Sequence, residues 1–329
     1  MSATLGEQFF LDQSKVPGAT GALSTVLNRL SLAGRMIALE IMRAGFVGKL
    51  GLTGDTNVQA EEVRALDVIS NDIFQRAFQN MHSVHAMASE EMEDIAFIEG
   101  GADGKYLLLY DPLDGSGNVE VDGPMGSIFS VLRRSRDDRP ATPEDFLRKG
   151  AEQVAAGYIL YGPATMFVYT VGERVHGFTL DRGIGTFFLT HPDIRFPTDG
   201  KKASYAVNEA NSGKWAPSTR KMVETFRSGA TSCGRRASRY SGALVFDFHR
   251  TLVQGGIYMY PGEEKKPDGK LRLLYEGNPL AMVAKAAGGH ATNGEIDILD
   301  VQPTALHQRC PLFIGNRPDV DEAMRIMRG

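Results

Sequence analysis

Between residues 84 and 190 the chain carries strand-like segments in close succession, and no other feature limits the fold as strongly. VHAMAS (84–89), KYLLLY (105–110), SIFSVLRR (127–134), GYILYG, TMFVYTV, RVHGFTL and GTFFLT follow one another up to Thr190. The series predicts a meandering, largely antiparallel sheet. Before it, apolar residues at Leu23, Val26, Leu27, Leu30, Ala33, Ile37 and Ile41 have helical spacing, with Gly45 as the stop. A second helix is expected through Val63, Leu66, Ile69, Ile73 and Ala77. Residues 1–19 are polar and read as loose, and GKLGLTGDTNVQA (48–60) reads as a glycine-rich connection. HPDIRFPTDGKK (191–202), with two prolines and a polar run, reads as a domain boundary. Beyond it strands and helices alternate. SYAVN (204–208) precedes a helix near 218–228, and a helix near 241–254 precedes IYMYP (257–261). The strand LRLLYE (271–276) precedes the helix NPLAMVAKAAGG (278–289), where Asn278 is the expected N-cap and Pro279 the first helical residue. Asp319 is expected to cap a short C-terminal helix. The predicted class is α+β: two αβ domains with mixed sheets, residues 1–193 and 194–329, stacked in layers.

A length of 329 residues agrees with two domains. The formal net charge of −4 argues against a general nucleic-acid binder. The longest apolar stretches, such as YLLLY at 106–110, fall far short of a membrane span. The N-terminal segment lacks the basic and apolar regions of a signal peptide. Two cysteines, Cys233 and Cys310, form no CxxC pair, which disfavours a disulfide scaffold or thiolate zinc site. The expected compartment is the cytoplasm.

The most informative segment is Tyr110-Asp111-Pro112-Leu113-Asp114-Gly115-Ser116-Gly117-Asn118. An apolar strand runs into two aspartates, the proline is expected to stop the ladder, and DGSGN forces a tight loop. Carboxylates there can converge, while the loop amides can form a nest for a phosphate. Taken alone, D-x-x-D-G is equally an Asx-turn signature. Ser89-Glu90-Glu91 also ends a strand, and its glutamates share a site only if the strand terminates or bulges there. Glu276 ends the apolar run LRLLY. Together Glu90, Glu91, Asp111, Asp114 and Glu276 are five carboxylates at strand ends, where open αβ sheets bind ligands. Such a cluster needs cations to stay ionised, and hard oxygen donors suit Mg²⁺ or Mn²⁺.

These segments resemble class I fructose-1,6-bisphosphatases of the sugar-phosphatase superfamily. SEE (89–91), DPLDGSGN (111–118) and GKLRLLYEGNP (269–279) carry the likeness. So do LDVISND (66–72), AAGYILYG (155–162), RRASRY (235–240), DFHRTLVQGGIYMYP (247–261), AGGHATNG (287–294) and PTALHQRCPLFIGN (303–316), in order along nearly the whole chain. DPLDG alone is also similar to inositol monophosphatases. The resemblance implies a layered α-β-α-β-α fold and Mg²⁺-dependent hydrolysis of the 1-phosphate of fructose 1,6-bisphosphate, in gluconeogenesis or Calvin-type carbon metabolism. It implies two or three metals per subunit held by Glu90, Glu91, Asp111, the Leu113 carbonyl, Asp114 and Glu276. It makes Glu91, Asp67 and Glu61 catalytic acids, and Gly115, Ser116 and Gly117 part of the phosphate loop with Asp114. The 6-phosphate pocket falls on Asn208, Tyr240, Tyr258, Tyr260 and Lys270. Arg239 matches an arginine that reaches a neighbouring subunit's site in a homotetramer. Without the resemblance, Tyr258 and Tyr260 read as strand packing and Lys270 as a turn lysine.

Two departures stand out: Gly117 replaces the second serine of DGSSN, and Asn208-Glu209-Ala210-Asn211 lacks the family's tyrosine in register. Thr20, Gly21, Ser24, Lys105, Tyr106 and Arg133 resemble parts of the family's AMP site, although Ala22 stands where an acid is expected. The 133–155 connection holds no cysteine, so thioredoxin-type regulation is not expected. His82 and His85 have metal-ligand spacing without a third ligand and read instead as an end-of-helix surface. LRRSR (132–136) reads as a solvated surface and GRRASR (234–239) as an interface or phosphate loop. The alternatives are sedoheptulose-1,7-bisphosphatase or an inositol-phosphate phosphatase of the same fold and, in another class, a non-catalytic metal-dependent regulatory protein. Neither nucleic acid nor membrane is an expected partner.

Overall fold

A computed structural model describes residues 2–14, 20–46, 52–56 and 62–329. Helices α1 (Leu5–Ser14) and α2 (Ala22–Arg43) precede a hairpin of β1 (Leu52–Thr56) and β2 (Glu62–Arg64), then α3 (Ala65–Phe78). Strands follow: β3 (Val84–Ser89), β4 (Ala96–Phe97), β5 (Tyr106–Asp114), β6 (Met125–Arg133), β7 (Gln153–Tyr161), β8 (Thr165–Thr170), β9 (Val175–Asp181) and β10 (Thr186–His191). They form one sheet in the order β10-β9-β8-β7-β6-β5-β3-β4. All its pairings are antiparallel except β3 with β5, so the meander expected from the strand series is present. After residue 203 come β11 (Ser204–Ala206), α4 (Pro217–Ser228), β12 (Ala237–Ser238), α5 (Leu244–Gln254), β13 (Gly256–Tyr260), β14 (Leu271–Arg272), α6 (Asn278–Ala286), β15 (His290–Thr292), β16 (Arg309–Cys310), β17 (Leu312–Gly315) and α7 (Arg317–Arg328). The second sheet has the mixed order β12-β11-β13-β17-β15.

Strand alternation generates the layers. Along β6, Phe129 faces a core with Val26, Leu30, Phe74 and Phe78 of α2 and α3, while its neighbour Ile128 faces Phe248 and Leu252 of α5 and Val283 of α6. Along β13, Tyr258 shares that second core, while Ile257 and Met259 turn to Phe226 of α4 and Val320 of α7. The order is therefore helices, sheet, helices, sheet, helices: α-β-α-β-α. The α5–α6 layer lies between the sheets. The α2 stripe expected from the sequence is buried from Val26 to Ile37, with Leu23 and Ile41 half-buried at its ends, and it packs so closely that a Cβ at Gly34 would lie 2.5 Å from the Ile159 methyl.

Several local expectations are corrected. Residues 1–19 include α1, whose Leu5 and Phe9 are buried, with Phe9 edge-on against Tyr169. Its two buried apolar side chains are too few to announce a helix, and tertiary packing fixes it. The 48–60 connection contains β1, and Val63 lies in β2, so the next helix starts at Ala65. Neither LTGDT nor EVR alternates clearly enough to signal a strand. Asn278 does not cap α6: a turn of π-helix over Leu273–Gly277 runs directly into it, and the Asn278 side chain makes no capping bond. A short, fully buried apolar run cannot be separated from a helical one by periodicity, so LRLLYE yields strand only at Leu271–Arg272. Asp319 sits inside the first turn of α7, paired with buried Arg236 (Nε–Oδ1 2.7 Å), after Asn316 at the N-cap. His85 is buried in β3 rather than on a helix-end surface. Its Nε2 accepts from the Ala141 N–H (3.0 Å), so Nδ1 carries the proton and donates to the Gly101 carbonyl (2.9 Å).

Candidate active site

The acidic residues converge. Asp67, Glu90, Glu91, Asp111, Leu113, Asp114 and Glu276 all line one cleft of about 310 Å³. One carboxylate oxygen each of Glu90, Asp111 and Glu276 lies within 4.8 Å of the others. The local folding explains how. β3 ends at Ser89, so Glu90 and Glu91 enter a turn free of strand alternation, with Glu90 N–H still donating to the Tyr110 carbonyl (3.1 Å). Pro112 does not stop β5. The strand continues to Asp114 through an irregularity between Asp111 and Asp114, where Pro112 and Leu113 stand opposite the single residue Ser127 and the one extra residue shifts the register with β6. That bulge turns both aspartates toward the cleft. The Asp111 carboxylate accepts from Leu113 N–H (2.9 Å), and Ser127 Oγ donates to the Pro112 carbonyl (2.7 Å), fixing the bulge. Glu276 arrives from the π-helical turn rather than a strand end, its carboxylate accepting from Arg272 N–H (2.5 Å).

Asp114 is held from the other half of the molecule. Val245 N–H, at the start of α5, donates to its Oδ2 (2.7 Å), and the Leu244 amide adds to the stabilisation of its charged form. Gly115 makes this contact possible. Its φ is +78° and a Cβ there would stand 2.4 Å from the Ala243 Cβ, so the loop meets α5 only as glycine.

The electrostatics are those of a cation site. Burial, reinforced by Glu90, Asp114, Glu276 and Glu91, pushes Asp111 well above the usual carboxylate range. Burial and the charges of Glu90 and Asp114 do the same to Glu276, against the Arg272 N–H and guanidinium. Asp114 is pushed up to about 7 by burial, against the two α5 amides. Like charges this close repel unless a cation lies among them, and an all-oxygen donor set fits Mg²⁺ or Mn²⁺. Among the described residues, the group with three close ligand atoms is Glu90, Asp111 and Glu276.

Gly115, Ser116, Gly117, Tyr240, Tyr258, Tyr260 and Lys270 line the same cleft. Burial pushes the Tyr240 phenol up to about 12 and Tyr258 well above its ordinary value, so both remain hydrogen-bond donors at neutral pH. Asn208 is outside the lining but its side chain bonds to Tyr240. Arg239 is exposed and lies elsewhere, with Lys201, Lys202, Arg227 and Arg235 in a basic cleft of about 750 Å³. Glu61 lies outside the described residues. Of the residues resembling an AMP site, Thr20, Gly21 and Ser24 sit at the start of α2. Lys105, Tyr106 and Arg133 gather at one end of β5 and β6, with Tyr106 opposite Arg133.

Two contributors escaped the sequence. Arg272 is fully buried, with Nε 3.3 Å from Glu90 Oε1; a lone arginine in an apolar run beside an acid was the available signal. The Leu244 and Val245 amides act through backbone alone, and no side-chain pattern announces them.

Known proteins share this architecture. A family model described as the fructose-1,6-bisphosphatase N-terminal domain matches residues 3–192, and one described as the C-terminal domain matches residues 198–328. A protein of Maridesulfovibrio salexigens named fructose-1,6-bisphosphatase class 1 is 46% identical over 331 residues, covering 99% of this chain and 97% of that protein. One of the same name from Trichormus variabilis is 49% identical over 302 residues, covering 91% and 84%. The crystal structure of Leishmania major fructose-1,6-bisphosphatase in holo form superimposes over 100% of both chains, with a TM-score of 0.93 at 39% identity.

Proposed function

The chain belongs to the fructose-1,6-bisphosphatase family, and on that premise we propose that its cleft hydrolyses fructose 1,6-bisphosphate at the 1-phosphate, giving fructose 6-phosphate and phosphate with the help of Mg²⁺. The observation that carries this reading is the convergence of Glu90, Asp111 and Glu276 beside the Gly115–Gly117 loop in one cleft with Lys270 and three tyrosines. Glu90, Asp111, Asp114, Glu276 and the Leu113 carbonyl would hold two or three divalent ions, with Glu91 near the third. Bound there, the metal supplies charge stabilisation for the phosphoryl group and acidifies a water. Phosphoryl transfer needs positioning and charge stabilisation more than covalent help from the protein. Glu91 or Asp67 takes the proton of the attacking water, with Glu61 a further acid of the same family pattern. The amides of Gly115, Ser116 and Gly117 hold phosphate oxygens. Lys270 and the phenols of Tyr240, Tyr258 and Tyr260 grip the second phosphate, with Asn208 supporting Tyr240, so the sugar cannot swing away from the carboxylates.

The setting we infer is a cytoplasmic homotetramer acting in gluconeogenesis or Calvin-type metabolism, with domains at 1–193 and 194–329. Exposed Met36, Leu39 and Met42 in the C-terminal half of α2, with Phe46 in the turn after it, offer an apolar face for association. Arg239, exposed outside its own cleft, is available to a neighbour's. No helix among the described residues is long and apolar enough to cross a membrane.

Phosphate release from fructose 1,6-bisphosphate, sedoheptulose 1,7-bisphosphate and an inositol monophosphate, each with Mg²⁺, tests the reading. The highest kcat/KM is expected on fructose 1,6-bisphosphate, and no turnover of either bisphosphate would refute it. AMP in the same assay decides whether the Thr20–Ser24, Lys105–Tyr106 and Arg133 group is an inhibitory site or α2 merely packs between subunits: inhibition supports the site, and none at millimolar AMP removes it. Lys270→Ala should raise KM about tenfold with kcat nearly kept, because it removes a charged hydrogen bond remote from the reacting phosphate. An unchanged KM would remove Lys270 from the second-phosphate pocket.

A further inference from the structure

One short segment, residues 240–245, serves two sides of the cleft, and a buried carboxylate outside the cleft lining holds it. Leu244 and Val245, the first residues of α5, place their amides on Asp114. Tyr240 lines the cleft beside Tyr258, Tyr260 and Lys270. Between them the chain turns at Gly242 (φ +86°). The helix fixes Leu244 and Val245 by its own hydrogen bonds, but Tyr240 and Ser241 precede it. They are tied back by Asp247, in the first turn of α5, whose Oδ2 accepts the Ser241 N–H (2.9 Å). Asp247 has no solvent exposure, and its Oδ1 is paired with Arg250 (2.9 Å), which also lies over the Phe246 ring. Asn118, just after the phosphate loop, completes the clasp from the first half of the chain. Its Nδ2 donates to the Ser241 carbonyl (3.3 Å) and to the Pro124 carbonyl (3.1 Å).

We propose that Asp247 is a positioning residue that sets the preference for a bisphosphate, by holding Ser241 so that Tyr240 meets the second phosphate while α5 independently keeps Asp114 in place. A buried carboxylate accepting a backbone N–H makes a short, charge-assisted bond, and the stiffness it gives the turn costs nothing at binding because it is built in beforehand. Asn118 is the second tether on the same peptide. The inference deepens the functional reading above and rests on it.

The test compares kcat and KM for fructose 1,6-bisphosphate with those for p-nitrophenyl phosphate, a small ester without a second phosphate, in the Mg²⁺-loaded enzyme. In Asp247→Ala the ratio of the two kcat/KM values should fall about tenfold or more. The loss should lie in the KM for the bisphosphate, with p-nitrophenyl phosphate hydrolysis kept within about twofold. Asp247→Asn retains an oxygen for the Ser241 N–H and should recover most of the ratio. Asn118→Ala, which leaves the buried pair intact, should lower the ratio in the same direction and keeps the question answerable if Asp247→Ala does not fold. A wild-type ratio in Asn118→Ala and in each folded Asp247 variant overturns the inference alone, and so does an equal loss on both esters. A wild-type enzyme with no preference for the bisphosphate overturns the functional reading and this inference with it.

Discussion

Replacing Glu276 by Gln is expected to lower kcat by at least about a hundredfold, with the loss following metal occupancy. Mutating a mere supporting partner of a metal ligand costs about 10–100-fold in affinity or activity, and Glu276 is itself one of three groups whose oxygens lie within 4.8 Å. The amide would still fit the space and still accept the Arg272 N–H, so the fold should persist. What is lost is one negative charge from the cluster that attracts the cation. Steady-state kinetics over a Mg²⁺ titration checks this. A variant that reaches wild-type kcat at ordinary Mg²⁺ would remove Glu276 from the metal site.

Adding Mg²⁺ to chelator-treated protein should raise Tm, and the rise should grow between pH 6 and pH 8. In the metal-free fold Asp111, Asp114 and Glu276 bind protons more tightly than in the unfolded chain, where carboxylates titrate near 4. The native state then holds more protons than the unfolded one, so these groups weaken the fold as pH climbs through the native values. Asp114, pushed up to about 7, titrates within that interval. Each tenfold rise in a carboxylate's proton affinity on folding is worth about 1.4 kcal/mol, and burial and mutual repulsion raise all three groups in the same direction. A cation among the oxygens relieves that repulsion. Calorimetric scans with EDTA and with Mg²⁺ at both pH values decide the matter. A metal effect on Tm that is absent, or larger at pH 6, would contradict the repulsion described for this cluster.

The long-range architecture was legible where the signal was repetitive. Seven strand-like segments in series could only build a meander, and the α2 stripe from Leu23 to Ile41 declared its buried face. The site was legible where chemistry was concentrated, because acids placed after apolar runs have few roles in a packed interior. The losses share one cause: tertiary contacts that local patterns do not encode. Phe9 finds an aromatic pocket against Tyr169, so α1 forms from a segment with little periodicity. Pro112 is tolerated within β5 because the strand bulges there, a conformation that its neighbours Ser127 and Asp111 stabilise. Asn278 carries an ideal capping sequence, yet a π-helical turn enters α6 before it. The same turn delivers Glu276, so the sequence identified that residue correctly and misjudged the element carrying it. Arg272 is poorly legible because a buried cation beside a carboxylate cluster looks, in sequence, like one charge in a strand.

The central claim is that carboxylates from separate stretches of chain form one cation cage on which hydrolysis depends. Phosphate release from fructose 1,6-bisphosphate by EDTA-treated protein, before and after Mg²⁺ is restored, addresses it directly. The account predicts background rates in EDTA and full recovery with Mg²⁺; undiminished turnover with all divalent metal removed would contradict it.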